Sequence, residues 1–448
     1  MKPRQATQEL LDLARSLVDY GRSLGADEVE VALGDSMEFD VDVRLGKIEN
    51  LVEAGSRQLG FRIIKDKRTA FASSSDLSPE TLKGLMRRAV ERARLATADE
   101  FAGLPLLSPQ AVDIESLRLY DPDLPGVDSA RKIKLAMETE RIALADKRIT
   151  NSQGASFTSG EATSVLANSH GFLQAYDQTF CSLSVSLQAG RTNDKVEDFW
   201  FTSGVRFKDL APAETVARTA VARTVRQINP RKIKTQRVPV VFEPLMTSWL
   251  MGFLFGCISG VSVYQKTTFL ADKLGQRVGN GRVTVIDDAL LPGRPGTRPF
   301  DAEGVPGGRT SVLDKGVLKN FLCNIYASRK LGLPVTGNSE GTSVGPNNFC
   351  LEPGPSSPQE IIGSMDKGLI LIKTIGHGLN PITGDISRGA FGLWVENGEV
   401  AYPVSEVTIA GNLGQILQDI EMVGNDPELQ SPVTGPTIKI RELTVAGE

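Results

Sequence analysis

One segment of this 448-residue sequence constrains its fold more than any other: residues 244–265 contain no charged side chain. Three glycines, Gly252, Gly256 and Gly260, stand four residues apart in it. In a helix this spacing places them in one row, where a neighbouring backbone can approach closely. The segment nearly reaches the ~20 apolar residues of a membrane span, but serine, threonine and glycine dilute it. We therefore expect no membrane span but a buried core helix with its glycine row packed, so that leucine at Gly256 would overpack the core.

The overall composition is typical of a globular protein that can bury a sizeable core. Apolar residues make up 40% of the chain and charged residues 23%,. The net charge of −4 gives no indication of a nucleic-acid or membrane partner,. Cys181, Cys257, Cys323 and Cys350 lie far apart, which favours reduced thiols over a disulfide framework,. Because the first residues contain no apolar signal core, we expect a cytoplasmic protein.

The sequence predicts two related N-terminal modules, 1–112 and 113–230, each with a helix, antiparallel strands and a second helix. Helical periodicity and capping residues predict helices at 7–24, 76–95, 129–145 and 209–227,. Alternating apolar residues predict strands at 29–33, 39–44, 59–64, 69–72, 164–168 and 181–187,. The last helix of each module opens with the same Asp-Leu-x-Pro pattern, and a proline- and leucine-rich linker at 101–127 joins the modules,.

Residues 231–448 form the third predicted domain, which is rich in strands and long glycine-containing loops and holds the apolar helix,. Its predicted strands are 238–242, 283–286, 368–372, 392–396 and 437–440,. The basic run 231–237 lacks interleaved aromatic residues and a DNA-binding motif, so we interpret it as a solvated connector,. The predicted fold class is therefore α+β: duplicated N-terminal α/β modules with antiparallel strands, then a strand-rich C-terminal domain with a buried helix.

Residue patterns alone indicate little chemistry. Asp40 and Asp42 could suggest a metal pair, but strand alternation predicts that both simply face solvent,. His170 and His377 each stand alone beside a glycine, so a zinc site would need long-range convergence with the scattered cysteines,. The Gly-x-Ser-x-Gly match around Ser339 lacks the strand before it and the helix after it that a nucleophile elbow needs,. We expect a glycine-rich surface loop there.

Three separated stretches resemble one known family. Residues 376–390, continued through 394–399 and 402–413, look like the C-terminal signature of the TldD/PmbA family. Residues 423–426 are similar to its terminal loop, and residues 55–78 resemble its N-terminal module. The resemblance thus spans nearly the whole chain.

The family resemblance implies two kinds of subunit. The TldD-like kind is a zinc protease with His-Glu-x-x-x-His on a helix and a C-terminal cysteine ligand; its glutamate takes a proton from zinc-bound water. This chain has Gly252, Phe253 and Cys257 at the histidine, glutamate and histidine positions, and no cysteine follows residue 426. It therefore resembles the other kind, called TldE or PmbA, for which the resemblance implies no catalytic residues and no bound metal.

The resemblance implies a non-catalytic, TldE-type subunit of a cytoplasmic zinc metallopeptidase complex. Its partner would be a TldD-like subunit that carries the zinc, and its substrates would be extended, unfolded peptides such as leader segments. Alone, the chain would be inactive and could form a homodimer. His377, Asn380 and Asp385 are candidates for the peptide groove, with stabilisation of their own loop as the alternative role. The alternative function is a stand-alone binding or scaffold protein of the "modulator of DNA gyrase" type.

Overall fold

The protein is described here by a computed structural model that covers residues 5–106, 112–190 and 195–448, so part of the predicted linker lies outside the described residues. Its N-terminal half contains four α-helices and six strands within those ranges. They are α1 (Gln5–Ser23), β1 (Glu28–Arg44), β2 (Lys47–Lys65), β3 (Arg68–Ser74), α2 (Pro79–Leu95), α3 (Ser129–Leu144), β4 (Ile149–Asn168), β5 (Leu173–Ala189), β6 (Val196–Gly204) and α4 (Ala213–Val225).

The six strands form one antiparallel sheet in the order β3-β2-β1-β4-β5-β6. Each half of this sheet belongs to one unit of a helix, three strands and a second helix, whereas the sequence predicts four strands in the first unit and two in the second; β1 pairs with β4 at the centre. Alternate residues of the strands pack under the helices: Val31 contributes to the core beneath α1 and α2, and Val41 to the core beneath α3 and α4. The other face of the sheet points away from the helices.

The predicted separate strands 29–33 and 39–44 are a single strand, β1. The intervening polar residues remain extended because they pair on both sides; Ser36, for example, lies opposite Ser56 of β2 and Ala162 of β4. Strand pairing therefore overrides the weak local strand propensity of this stretch.

The C-terminal part contains further helices and strands. They are β7 (Gln236–Phe242), α5 (Pro244–Ile258), α6 (Gly260–Tyr264), β8 (Val285–Asp288), β9 (Arg309–Asp314), β10 (Val317–Leu318), α7 (Ile325–Leu331), β11 (Ser339–Glu340), β12 (Ser343–Val344), β13 (Phe349–Leu351), α8 (Pro358–Gly363), β14 (Lys367–Ile375), β15 (Asp385–Glu396), β16 (Glu399–Asn412), α9 (Leu413–Asp419), β17 (Ile420–Val423), β18 (Val433–Thr434) and β19 (Ile438–Ala446).

Two sheets enclose α5. The larger has the order β16-β15-β14-β7-β19-β17, and it closes on itself because β16 also pairs with β19. The smaller has the order β10-β9-β8-β13-β18. Leu250 and Leu254 of α5 are fully buried in the core between these sheets. The predicted α+β class with a strand-rich C-terminal domain and a buried helix is confirmed. Among the described residues, every helix is too short or too polar to span a bilayer.

Candidate functional site

The apolar helix is interrupted rather than continuous. Pro244 occupies its first turn, where a missing N–H costs nothing, and the helix ends at Ile258,. Ser259 is extended (φ −59°, ψ 128°), and α6 starts at Gly260, whose N–H donates to the Leu322 carbonyl at 2.7 Å. A Cβ at Gly260 would lie 2.6 Å from Sγ of Cys323. This close contact explains why only glycine fits at that position.

The other two glycines of the row are exposed, so the predicted packing of the whole row is wrong. A Cβ on Gly252 or Gly256 would meet no atom within 4 Å. The sequence could not reveal this, because a helix that is apolar all round does not show which stripe faces the core. The predicted overpacking by leucine at Gly256 is also wrong, because a Cβ there meets open space.

The three motif positions do not fit a zinc site. Gly252 offers no ligand, while Phe253 is 8% exposed and Cys257 is fully buried in the apolar core. Burial raises the pKa of the Cys257 thiol to about 11, although a hydrogen bond with Thr268 opposes the shift. Zinc needs deprotonated thiolate or imidazole donors, usually four around the metal. Across the described ranges, histidine, cysteine and carboxylate residues form no cluster of three or more that could hold a metal ion.

The exposed face of α5 lies beside the C-terminal signature. Trp249, one helical turn before Gly252, has the guanidinium of Arg388 over its indole ring at 5.4 Å from the centroid,. Arg388 is on β15, and its Nε donates to the Ile375 carbonyl at 3.4 Å. Arg388 was not a sequence candidate, although it lies within the signature. The arrangement leaves an open helix face bordered by an aromatic–cation pair.

Asn380 and Asp385 hold the signature loop together. The side-chain oxygen of Asn380 accepts from the N–H of Ile382 at 3.0 Å, and Thr383 donates its hydroxyl to Asp385 at 2.6 Å. Asn412 donates to Asp385 at 2.9 Å. The hydrogen bond with Thr383, followed by that with Asn412, lowers the pKa of Asp385. These contacts are those of loop-stabilising residues, while a groove role for either residue stays a prediction.

The remaining sequence candidates do not come together. His377 is exposed at the start of the signature loop, whereas His170 lies in the turn after β4 with Nδ1 2.9 Å from the Pro105 carbonyl. Ser339 is fully buried in the short β11–β12 hairpin and its hydroxyl donates to the Gly341 carbonyl at 3.2 Å, which is not the setting of a nucleophile,.

The sequence predicts that Asp40 and Asp42 face solvent. In the structure both side chains are half-buried. Each carboxylate accepts a hydrogen bond from a hydroxyl of β4, at 2.6 Å from Thr158 and at 2.5 Å from Ser156. These neutral partners satisfy the two carboxylates without a metal.

A buried ion cluster that sequence reasoning missed joins the N-terminal sheet to the C-terminal domain. Arg62 of β2 donates to Glu30 of β1 at 3.1 Å and to Glu303 at 2.8 Å. Burial raises the pKa of Glu30 to about 7 against the attraction of Arg62, and burial raises that of nearby Asp301 to about 6. The local sequence gives no signal for this cluster, because charged residues that alternate with apolar ones, as Glu30 does, normally face solvent,.

Within the described ranges, one long sheet edge is also uncovered. The twelve residues 47–58 of β2 are all exposed, because β3 pairs only with the strand's second part from Leu59 onward. Exposed large apolar residues concentrate around the β1–β2 hairpin: Met37, Leu45, Ile48, Leu51 and Val52. An unpaired edge with apolar side chains is a surface suited to pairing with another strand.

Comparison with known proteins gives consistent matches along the chain. Residues 29–93 match PmbA/TldA metallopeptidase domain 1, residues 122–228 the central domain and residues 235–447 the C-terminal domain of the same family. The chain is 38% identical to metalloprotease PmbA of Escherichia coli O157:H7 over 99% of this chain and 98% of that protein. It is 34% identical to the PmbA homolog of Haemophilus influenzae, over 98% and 96% of the two chains.

Solved structures share the fold. A protein from Bacteroides thetaiotaomicron, named as a candidate modulator of DNA gyrase, superposes with a TM-score of 0.90 at 26% identity, over 98% of this chain and 99% of that one. TldE from Thermococcus kodakarensis superposes with a TM-score of 0.84 at 24% identity, over 97% and 100% of the two chains. The second likeness bears on the fold alone.

Proposed function

Because this chain belongs to the PmbA/TldD family of metallopeptidases, we propose that it is a non-catalytic, TldE-type subunit of a zinc peptidase complex that degrades or processes unfolded peptides. Its partner in this proposal is a TldD-like subunit that carries the zinc. A cytoplasmic location is part of the proposal, since all four cysteines are free thiols, as reducing conditions would keep them,.

One observation carries the proposal: the helix that would bear the catalytic groups is retained without them. Helix α5 keeps its place between two sheets, yet Phe253 and Cys257 point into the core and Gly252 presents only backbone. A phenyl ring cannot accept a proton from water, and a protonated thiol is not a zinc ligand. The division of labour follows: the partner supplies metal, water and base, and this chain supplies surface that completes the site.

The uncovered edge of β2 is the surface that we assign to the partner. A strand of the partner could pair with residues 47–58, with backbone hydrogen bonds giving affinity and apolar side chains such as Leu51 and Val52 giving specificity,. The closed C-terminal sheet favours this position, since closure removes most of its own edges,.

Size-exclusion chromatography with light scattering tests this assignment. The chain is mixed with a TldD-like protein that has an intact His-Glu-x-x-x-His helix. We expect a complex, and we expect Leu51→Lys to weaken it about tenfold or more by placing a charge on the edge. Leu95→Lys is the matched control, because Leu95 is also an exposed leucine but lies at the end of α2. Separate elution of the two parent chains would favour the stand-alone binding function.

A further inference from the structure

Arg294 is a half-buried cation without a hydrogen-bond or ion-pair partner among the residues that the structure describes. Its side chain makes no hydrogen bond or ion pair within the described part of the chain, and its Nε is buried with no acceptor. Burial lowers the pKa of Arg294, while Cys350 and Glu428 act on it only through space. Other half-buried arginines have hydrogen-bond partners: Arg226 pairs with Glu243 at 2.6 Å, and Arg329 donates to backbone carbonyls such as that of Leu104 at 2.8 Å. A guanidinium held out of water without an anion is a costly arrangement unless a ligand supplies one.

The backbone fixes Arg294 in place. The N–H of Thr297 donates to the Arg294 carbonyl at 3.1 Å, which closes a turn. The N–H of Gly296, within this turn, donates to the side chain of Asn348 at 3.1 Å. A Cβ on Gly296 would lie 1.9 Å from the Asn347 carbonyl oxygen, so the turn is packed directly against another backbone segment. Arg294 is thus presented from a rigid position, which lowers the entropic cost of binding.

The side chain of Arg294 lines a cleft of about 190 Å³ between this turn and strands β5 and β6. Gln178 and Ser182 of β5 line the same cleft, and their side chains have no hydrogen-bond partner among the described residues. Between them, Phe180 is 43% exposed, which is unusual for an aromatic residue of a sheet,. The cleft therefore combines one unpaired cation, an amide and a hydroxyl with an apolar wall.

We propose that this cleft binds a carboxylate of a peptide, with the guanidinium of Arg294 as its counter-ion. The inference rests on the proposed function in taking a peptide as the ligand. Arginine matches a carboxylate through paired N–H donors, and the Gln178 amide and the Ser182 hydroxyl can donate to its remaining lone pairs. The exposed ring of Phe180 would contact the apolar part of the bound residue. The carboxylate could be the peptide C-terminus or an aspartate or glutamate side chain.

Fluorescence anisotropy with the isolated full-length chain distinguishes these sources. Three decapeptides of one neutral sequence carry the same N-terminal dye: a free C-terminal acid, a C-terminal amide, and an amide with one internal glutamate. We expect at least one carboxylate-bearing peptide to bind about tenfold more tightly than the neutral amide. Preference for the free acid alone identifies a C-terminus site, and equal gain from the glutamate peptide identifies a side-chain site. Equal affinity for all three peptides overturns the inference.

Substitutions test whether the preference for carboxylate-bearing peptides arises in this cleft. Arg294→Gln should erase the advantage of the carboxylate peptides, while Arg282→Gln, which removes an exposed arginine elsewhere in the same domain, should preserve it. Ser182→Ala should reduce the advantage by a smaller factor. Because the side chain of Arg294 makes no hydrogen bond or ion pair within the described residues, Arg294→Gln should melt with the parent chain. Retention of the full preference in Arg294→Gln also overturns the inference.

The failure of this inference is separable from that of the proposed function. Carboxylate binding is measured on the chain alone, without any cleavage. Loss of the carboxylate preference would leave the subunit role intact, whereas absence of a TldD-like partner complex would contradict the subunit role and leave the anisotropy result unchanged.

Discussion

Nη1 of Arg62 lies 2.8 Å from Oε1 of Glu303, and this ion pair joins the N-terminal sheet to the C-terminal domain across 241 positions of sequence. The two side chains are only 13% and 2% exposed. Removing the Glu303 carboxylate would leave the buried Arg62 guanidinium with Glu30 as its remaining carboxylate partner. The contact is therefore where we expect the two parts of the chain to be coupled most strongly.

Glu303→Gln should lower the free energy of unfolding by about 1.5–3 kcal/mol, the usual cost of losing a hydrogen bond to a charged group, because Arg62 keeps Glu30 as a second partner,. Glu352→Gln is the control, because it removes one partner of the exposed pair with Arg309 and should cost less than about 1 kcal/mol,. Urea denaturation of the two variants measures both values. Equal small effects would show that the buried pair does not couple the two parts.

Because the pKa of Glu30 is raised to about 7, we expect the free energy of unfolding to fall as the pH rises towards neutral,. The folded protein holds this proton more tightly than the unfolded chain, whose glutamate has a pKa near 4.5, so Glu30 makes folding less favourable as pH rises from about 4.5 to 7,. Glu30→Gln should flatten the fall in unfolding free energy across this window. Some slope should remain, because the pKa of Asp301 is raised to about 6 in the same sense.

Denaturation at pH 5.5 and pH 8 measures the effect on Glu30→Gln. Glu38→Gln is the control for charge removal, since Glu38 lies on the same strand but is exposed. An unchanged slope in Glu30→Gln, or the same flattening in Glu38→Gln, would contradict the account.

The glycines of the apolar segment should respond in opposite ways to alanine. Gly256→Ala meets open space and should leave stability unchanged or raise it by up to about 1 kcal/mol through helix propensity,. Gly260→Ala should lower stability by about 1–3 kcal/mol, because its Cβ would lie 2.6 Å from Sγ of Cys323,. Thermal melting of both variants decides the matter. A destabilised Gly256→Ala would mean that this helix face is covered.

Sequence reasoning captured what depends on local pattern and missed what depends on distant partners. The modules, the fold class and the burial of α5 follow from periodicity and helix signals. The two predicted strands 29–33 and 39–44 form one continuous strand because residues between them, such as Ser36, pair with strands on both sides. No local sequence pattern shows this pairing. The cluster at Arg62 needs Glu303 from far along the chain. Gly252 and Gly256 are exposed because no other element packs on their side of α5 within the described residues, and the sequence of an apolar helix does not show which side that is.

The purified chain should contain no stoichiometric zinc bound through residues 252–257. The physical reason is the donor set, in which Cys257 is the sole candidate ligand and is buried as a thiol with a pKa near 11. Elemental analysis of the parent chain and of Cys257→Ser should give the same background. One zinc per parent chain that disappears in Cys257→Ser would be incompatible with this expectation.

The central claim is that this chain is required for peptide cleavage but contributes neither the catalytic base nor the zinc ligands. A peptidase assay tests this claim most directly. Cleavage of an unfolded peptide is followed with this chain alone, with a TldD-like partner alone, and with both at equal concentration. We predict no cleavage by this chain, because Phe253 and Cys257 supply neither base nor zinc ligand. We predict zinc-dependent cleavage only in the mixture. Zinc-dependent cleavage by this chain alone, or full activity of the partner without it, would contradict the account.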